Sequence, residues 1–477
     1  MANVGLTGDK FFEITSRDFL AGMTSSDYTE DGGFSPLSVG INLTYQPGIL
    51  HCPPVMTDKS TNLVDNPIGY TSDASTAATA DGFLLAADAS SFDGTYYYWD
   101  GATLTLKRTD STGNYSFGKS DITTYKGEVY ATSDAYMIRW VPDTTFNATF
   151  FNFSSSVVPH PLLVYEDSLY AGDGNLLKRM TSAAGTVSTI LTLPAGQTIV
   201  ALGIDPGSGS MLISVINGIN YSNTLNCIPR VAYYDGLSPK VQKIVFVDEM
   251  VTAFYNTGGI VYVGYGQNLG YWSGSGIQFL RTLGVTLDGA QLPYKFHFTN
   301  IGRTLYVGEG AKLLAYGEII AGRGKVFYYP MQNSQSAAIF SLVTNIGSNK
   351  LGFGFATSQF WTWDSTAAPG PSNNFPFYSR KYEFPRPVSL QTVRILFVSN
   401  LPSTAGDIGR LQVIDDTNTT TTIATISNTA ASGLLNDIEF PWPTLNSRSL
   451  QFIWKVDATR SEAIGVERIT VFLTQAQ

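Results

Sequence analysis

Apolar and polar positions along this chain follow a pattern that keeps returning. Its clearest copy is TLYVGEGAKLLAY (Thr304 to Tyr316): an apolar residue, Tyr, a small apolar residue and Gly, then a short polar bridge and a second apolar run. Two apolar runs about such a bridge predict a β-hairpin. LYAGDGNLLKR (Leu169 to Arg179) and IVYVGYGQNLGYW (Ile260 to Trp272) repeat it closely, with Tyr170 and Tyr262 at the Tyr position. EVYATSDAYMIRW (Glu128 to Trp140) and KLGFGFATSQFWTW (Lys350 to Trp363) keep the pattern with changes at the Gly positions.

With Tyr130, Tyr170, Tyr262, Tyr306 and Gly352 as equivalent points, the intervals are 40, 92, 44 and 46 residues, and the long one is close to two ordinary ones. A degenerate copy accordingly lies near residue 213, in GSMLISVI (Gly209 to Ile216). Another precedes Tyr130 in GFLLAADASSFDGTYYYWDG (Gly82 to Gly101), anchored near Leu85, which makes seven units. Units of roughly 40 to 50 residues, each with about four short strands, predict a β-propeller, because one such sheet cannot bury both faces and must stack radially on its neighbours. The competing architecture is a large sandwich built from unrelated hairpins.

The rest of the chain divides around these repeats. Residues 1 to about 40 hold few strand signals and lead into DYTEDGGFSPLSVGINLTYQPGIL, whose Gly and Pro pairs punctuate short apolar pieces, so an extended arm is expected. The polar, Pro- and Ser/Thr-rich stretch from 51 to 78 is expected to be a connector, mostly loop with room for one strand. TYYYWDG (Thr95 to Gly101) and RVAYYDG (Arg230 to Gly236) alternate, end in the turn dipeptide Asp-Gly and match each other as outer strands. After AAPGPSNNFPF (Ala367 to Phe377) the Tyr-x-Gly core is lost and longer runs begin: Thr392 to Val398, Arg410 to Asp415, Thr421 to Ile426, Asn436 to Phe440, Leu450 to Val456 and Val466 to Leu473. These six predict a separate antiparallel sandwich. The expected division is arm and connector over 1–78, propeller over 79–380 and sandwich over 381–477, an all-β chain throughout.

Composition agrees with many short strands. Of 477 residues, 43% are hydrophobic and only 14% charged, with 46 Gly, so core material is ample and tight turns are frequent. The net charge of −9, without a Lys/Arg run beyond two residues, lacks the basic footprint of a nucleic-acid-binding surface. Cys52 and Cys227 fall in different regions and form no metal-ligand pattern with His51, His160 and His297, so both are read as buried or partly buried thiols, with a disulfide as the alternative. Asp9, Lys10 and Glu13 interrupt any secretory apolar run near the start, and no later segment approaches 18 apolar residues. A soluble protein made in the cytoplasm is expected.

Propellers host glycoside hydrolysis, which needs two carboxylates facing each other across a pocket. Asp205, Asp235, Asp288 and Glu309 mostly stand beside Gly or Pro, where Asp in particular forms turns. Ser91, Asp93, Gly94, Thr95 and Trp99 occur in the order of the Ser-x-Asp-x-Gly-x-Thr-x-Trp box of sialidase-like blades, but with the wrong spacing, and are read as a turn. AGDGN (Ala171 to Asn175) sets Asp173 and Asn175 two apart like a calcium loop, yet lacks the further acids, and a type I′ hairpin turn explains it better. Tyr96 to Trp99, Trp361 and Trp363 could stack on sugars, but strand spacing favours packing between blades. No catalytic, cofactor or metal residue is assigned, and no enzymatic activity is expected.

One resemblance covers the whole order of parts. An N-terminal arm leading into INLTYQPGIL (Ile41 to Leu50), a propeller of irregular blades and a C-terminal sandwich ending in VERITVFL (Val466 to Leu473) resemble virion proteins of tailed bacteriophages, most of all the tail hub or nozzle protein of short-tailed phages. The resemblance implies a structural protein that forms a six-fold ring, continues the DNA exit channel and contacts adaptor or portal-proximal and fibre or spike proteins. It implies no cofactor, no membrane insertion and passage of DNA without tight binding. A glycan-binding receptor-recognition propeller is the alternative, and a glycoside hydrolase a weaker one.

Overall fold

The computed structural model describes residues 3–6, 11–17, 34, 38, 43, 50–51, 54, 56–72, 81–88, 90–116, 118–217, 228–283, 294–319, 321–322, 324–332, 340–347, 349–367, 376–398, 406–428, 437–441, 446–456 and 465–475. Among these the chain is all-β apart from single 3-10 turns at Ser60–Asn62 and Lys295–His297.

Seven four-stranded antiparallel sheets form a seven-bladed β-propeller. The second strands of the blades are Gly82–Ala87, Glu128–Thr132, Ser168–Asp173, Met211–Asn217, Ile260–Tyr265, Thr304–Glu309 and Lys350–Phe355. Every anchor of the sequence repeat, from Leu85 and Tyr130 to Tyr306 and Gly352, lies on one of them. A second strand is paired on both edges and covered on both faces, so it must be apolar throughout; Gly82–Ala87 and Ser168–Asp173 are buried at every position. The glycine of the Tyr-x-Gly core has a packing reason. A Cβ on Gly172 would meet Ile199 of the next blade's inner strand at 3.0 Å, and one on Gly308 would meet Phe340 and Val343 at 3.0 Å.

The hydrophobic core lies between blades. Leu84, Tyr97 and Trp99 of blade 1 cluster with Leu342, Ile346 and Phe360 of blade 7. Tyr165, Tyr170 and Leu177 of blade 3 cluster with Ile213, Ala232 and Tyr234 of blade 4. Trp99 meets Phe360 edge-on at 5.6 Å, and Tyr96 meets Trp140 and Phe146 of blade 2 at 5.9 and 5.4 Å.

The last blade is completed from the start of the chain. Thr57–Asp58 pairs with the third strand of blade 7, Gln359–Asp364, in the register Trp361↔Asp58 and Thr362↔Thr57, and Lys59 donates its N–H to the Phe360 carbonyl at 2.8 Å. Asn66–Ser72 is then the innermost strand of blade 1, paired with Gly82–Ala87. The propeller therefore begins at Thr57 instead of 79, and the expected connector supplies two strands. Its polar composition hid them: the closing strand is exposed, and the innermost one carries Pro67 and Gly69, which read as loop, at a register shift. Thr95–Gly101 and Arg230–Gly236 contain equivalent strands, as expected, but third strands and not outer ones.

By density of contacts the chain divides into one unit of Thr57–Ala311 and Ala337–Thr362 and another of Met1–Met56, Lys312–Ser336 and Trp363–Gln477. In the second unit all six strands expected after Tyr382 are present, beginning with the long Tyr382–Phe397, and join a ten-stranded antiparallel sheet. Val393, Ile395, Trp454, Val471 and Leu473 are buried in it. The ladder between Tyr382–Phe397 and Asn446–Val456 is interrupted between Glu383 and Val388, where Pro385 and Pro387 have no N–H to donate. The expected extended arm is corrected over its first residues: Asn3–Leu6 and Phe11–Arg17 form a hairpin, and Phe11–Arg17 pairs along the C-terminal strand Gly465–Gln475 from Phe11↔Thr474 to Arg17↔Arg468. Its pairing is long-range, so no local pattern betrays it.

Candidate functional site

The inner strands of the blades surround a central cavity with about 40 Å³ of room for water, enough for a few molecules at most. Its distinguishing feature is the single 3-10 turn Lys295–His297, placed ahead of the first strand of blade 6. The turn is held by the His297 N–H donating to the Tyr294 carbonyl at 2.9 Å and the Tyr294 N–H donating to His297 Nδ1 at 3.1 Å. Phe296 packs against two core clusters, one that includes Ile68, Phe83 and Ile122 and another that includes Leu84, Leu342 and Phe360.

From this turn Lys295 reaches across the cavity. Its ammonium donates to both oxygens of Asp121, at 2.9 and 3.2 Å, and to the Leu162 carbonyl at 3.4 Å. Asp121 is buried, and it also accepts the N–H of Ile122 at 2.7 Å and of Leu162 at 2.8 Å. One carboxylate thus ties together the starts of the inner strands of blades 2 and 3 and the turn before blade 6. Among the described residues lining the cavity it is the one carboxylate, and it is neutralised by the lysine. That arrangement offers no acid and base facing each other across a substrate.

His297 also lines the cavity, fully buried, and desolvation pushes its imidazole down to about 4. His160 lies elsewhere, stacked on Phe153 with ring centroids 3.7 Å apart. Its Nδ1 faces the Gly172 carbonyl at 2.9 Å, and its Nε2 faces the carbonyls of Asp134 and Ser155 at 3.0 and 2.9 Å. Burial lowers its pKa, opposed by those carbonyls. Both rings are packed into structure. His51 contributes backbone to the pairing with Gly465, while Cys52, Cys227 and Asp288 lie outside the described residues.

The acidic candidates are scattered. Asp205 accepts the Gly207 N–H at 3.1 Å and the Ser208 hydroxyl at 2.8 Å. Asp235 accepts the N–H groups of Leu237 and Ser238 at 2.9 and 2.7 Å and the Ser238 hydroxyl at 2.5 Å, which hold its carboxyl down at about 2. Both are turn formers. Glu309 is buried at the end of a second strand. Asp173 is buried too, accepting from the Ser154 N–H and hydroxyl at 2.8 and 2.7 Å, with Lys178 at 3.5 Å. In its hairpin Gly174 takes φ +62° and Asn175 does not take a positive φ, the pattern of a type II′ turn where type I′ was expected. Among the described residues no group of three or more His, Cys, Asp and Glu is placed to hold a metal ion.

Ser91 and Asp93 lie in the turn after Gly82–Ala87, where Asp88 accepts the N–H groups of Ser90 and Ser91 at 2.6 and 2.8 Å. Thr95 is buried and donates to Asp65 at 2.6 Å. Tyr96, Tyr97, Trp99 and Trp363 are buried, and Tyr98 and Trp361 are partly so, which leaves no fully exposed aromatic ring among them. Sequence reasoning missed Asp121 and Lys295. They are 174 residues apart and neither belongs to the repeat, so only closure of the propeller brings them together.

No family model matches the sequence, and no curated protein matches it. Solved structures similar to the chain include YCF48 bound to D1 peptide, at 9% identity and TM-score 0.46, with 65% of this chain and 99% of that one covered. The Dos1 propeller is similar at 10% identity and TM-score 0.43 over 66% of this chain and 96% of that one. A chain of the mitotic checkpoint complex follows at 10% identity and TM-score 0.42, over 66% of this chain and 95% of that one.

Proposed function

We propose that this protein is a structural, non-catalytic component of a bacteriophage tail, a hub or nozzle that assembles into a ring and continues the DNA exit channel. The observation that carries the reading is the character of the small central cavity: among the described residues its one carboxylate, Asp121, is already paired with Lys295, so it presents no acid and base for catalysis. Phe296 and the Lys295–Asp121 pair line that cavity, which has about 40 Å³ of room. With so little space inside, the outer surfaces remain for partners. The order of parts, with the INLTYQPGIL stretch and the VERITVFL strand, supplies the resemblance to short-tailed phage hubs.

In this reading the ten-stranded region works as a C-terminal sandwich. Asn446–Val456 pairs with Tyr382–Phe397 through its first half and with Gly406–Ile414 through its second, which lets one bonded network fold into two layers. The segment ahead of Thr57, beyond its hairpin, serves as the arm that meets neighbours. Copies of the chain form the ring, six-fold by the resemblance, and adaptor or portal-proximal and fibre or spike proteins bind its two ends. The protein resides in the virion tail after assembly in the host cytoplasm.

Sedimentation of the purified protein tests this reading. A discrete assembly of about six copies supports it, as closed symmetry requires. A monomer that sediments unchanged on addition of host glycan sinks it, and a monomer that binds host glycan through a saturable site transfers the assignment to receptor recognition.

A further inference from the structure

The outer strand of each blade has a free backbone edge, and an edge of that kind pairs with other chains unless something blunts it. In blades 1, 2, 3, 5 and 6 the ladder to the outer strand is broken by a register shift, which bends the edge out of line. Blade 7 ends in no more than Thr57–Asp58. Blade 4 differs. Its outer strand Lys243–Phe246 pairs without interruption from Tyr233↔Lys243 to Arg230↔Phe246, and the N–H groups of Gln242 and Val247 extend the ladder to the Tyr233 and Pro229 carbonyls at 2.8 and 3.2 Å.

The side chains on this edge are apolar and open to solvent. Ile244 and Phe246, two apart and so on one face, are 45% and 68% exposed. Among the described residues no other outer strand exposes two large apolar side chains. The one charge in the strand does not guard the edge: Lys243 turns back on its own molecule, donating to the Gly274 carbonyl at 2.7 Å with its ammonium 5.1 Å from the centre of the Tyr233 ring. Because Val247 bonds inward, alternation directs the N–H and C=O of Ile244 and Phe246 outward. Charge flanks the strand unevenly, with exposed Lys240 before it and exposed Asp248 and Glu249 after it.

We infer that this edge pairs with the same edge of a second copy of the chain, antiparallel about a two-fold axis at Val245, so that two four-stranded blades become one continuous sheet. Outward groups must meet outward groups, and this register uses both residues that supply them: Ile244 lies opposite Phe246 of the second copy, and Phe246 opposite its Ile244, an aromatic against a β-branched side chain each time. The same two-fold sets the basic end of each strand beside the acidic end of the other. That self-complementarity selects a second copy over an unrelated partner. A two-fold contact is complete with two copies, so it lies beyond the ring proposed above and joins single chains or whole rings alike.

Sedimentation equilibrium of the full chain over a range of concentrations tests this. The particle mass should double as concentration rises, from one chain to two or, where rings form, from one ring to two, so pairing is read separately from the existence of the ring. Ile244→Lys with Phe246→Lys sets like charges opposite each other, and the apparent Kd of the pair should rise about tenfold or more. Ile244→Lys with Phe246→Glu sets opposite charges there and should pair within about threefold of the parent. In the parent, amide exchange at Ile244 and Phe246 should slow as pairing sets in, which decides the matter if a variant does not fold. A mass that never exceeds one chain or one ring, an equal loss of pairing in the two variants, or amides at Ile244 and Phe246 that exchange freely at every concentration would overturn the proposal.

Discussion

His297 couples the centre of the propeller to pH. Its imidazole titrates at about 4 in the folded chain because it is buried, against about 6.5 when unfolded. Between those values the unfolded chain binds the extra proton, so stability is full above about 6.5 and falls as pH drops toward about 4, by roughly 3 kcal/mol at the limit. Burial shifts His160 in the same direction, which adds to the slope. Urea midpoints from about pH 7 to about 4.5 should therefore decline, and less steeply in His297→Gln. A flat profile would mean that neither ring is buried in neutral form. At the same cavity Asp121→Asn should cost more than Lys295→Met, about 2 to 4 kcal/mol against about 1. Asp121 is almost fully buried and holds two backbone N–H groups as well as the ammonium, whereas 40% of the lysine side chain is exposed. Equal losses would show that the ion pair alone matters. Neither residue was legible in the sequence, because an ion pair across a ring closed by 174 residues leaves no local spacing to read.

Elements held by long-range pairing differ in consequence from elements held locally. Removing Thr57–Asp58 together with everything before it takes the fourth strand from blade 7 and leaves Gln359–Asp364 with a bare edge. The propeller should then melt earlier by about 5 °C or more, by differential scanning calorimetry, whereas removal of residues 1–17 alone should leave the propeller transition in place. That shorter deletion strips Phe11–Arg17 from the edge of Gly465–Gln475 instead. Static light scattering should then show association, because an uncovered edge strand is a template for further pairing. A soluble truncated chain that scatters like the parent would mean that the hairpin is dispensable. The second strands were readable because complete burial forces an apolar run around Tyr and Gly, as in Ser168–Asp173. Thr57–Asp58 was not, since a two-residue exposed strand made by pairing has no pattern of its own. Asn66–Ser72 was hidden by Pro67 and Gly69, which signal loop in sequence and occur here at a bulge.

For the whole molecule, a central cavity of about 40 Å³ is far too small for a duplex, so on the proposed reading any conduit runs between copies. The chain carries −9, so a channel wall drawn from its composition is neutral to acidic and lets a phosphate backbone slide. Labelled duplex titrated at two salt concentrations should bind no more tightly than roughly 10⁻⁴ to 10⁻⁶ M; tight binding with a steep salt slope would mean basic residues gathered on one surface. The most direct measurement is single-particle electron microscopy of the purified assembly, classified by rotational symmetry. Closed rings are expected, six-fold by the phage resemblance, with an open channel on the symmetry axis and no path for DNA through the centre of any one propeller. Single propellers without rings, or particles whose open path runs through the Lys295–Asp121 centre of one propeller, would contradict this reading.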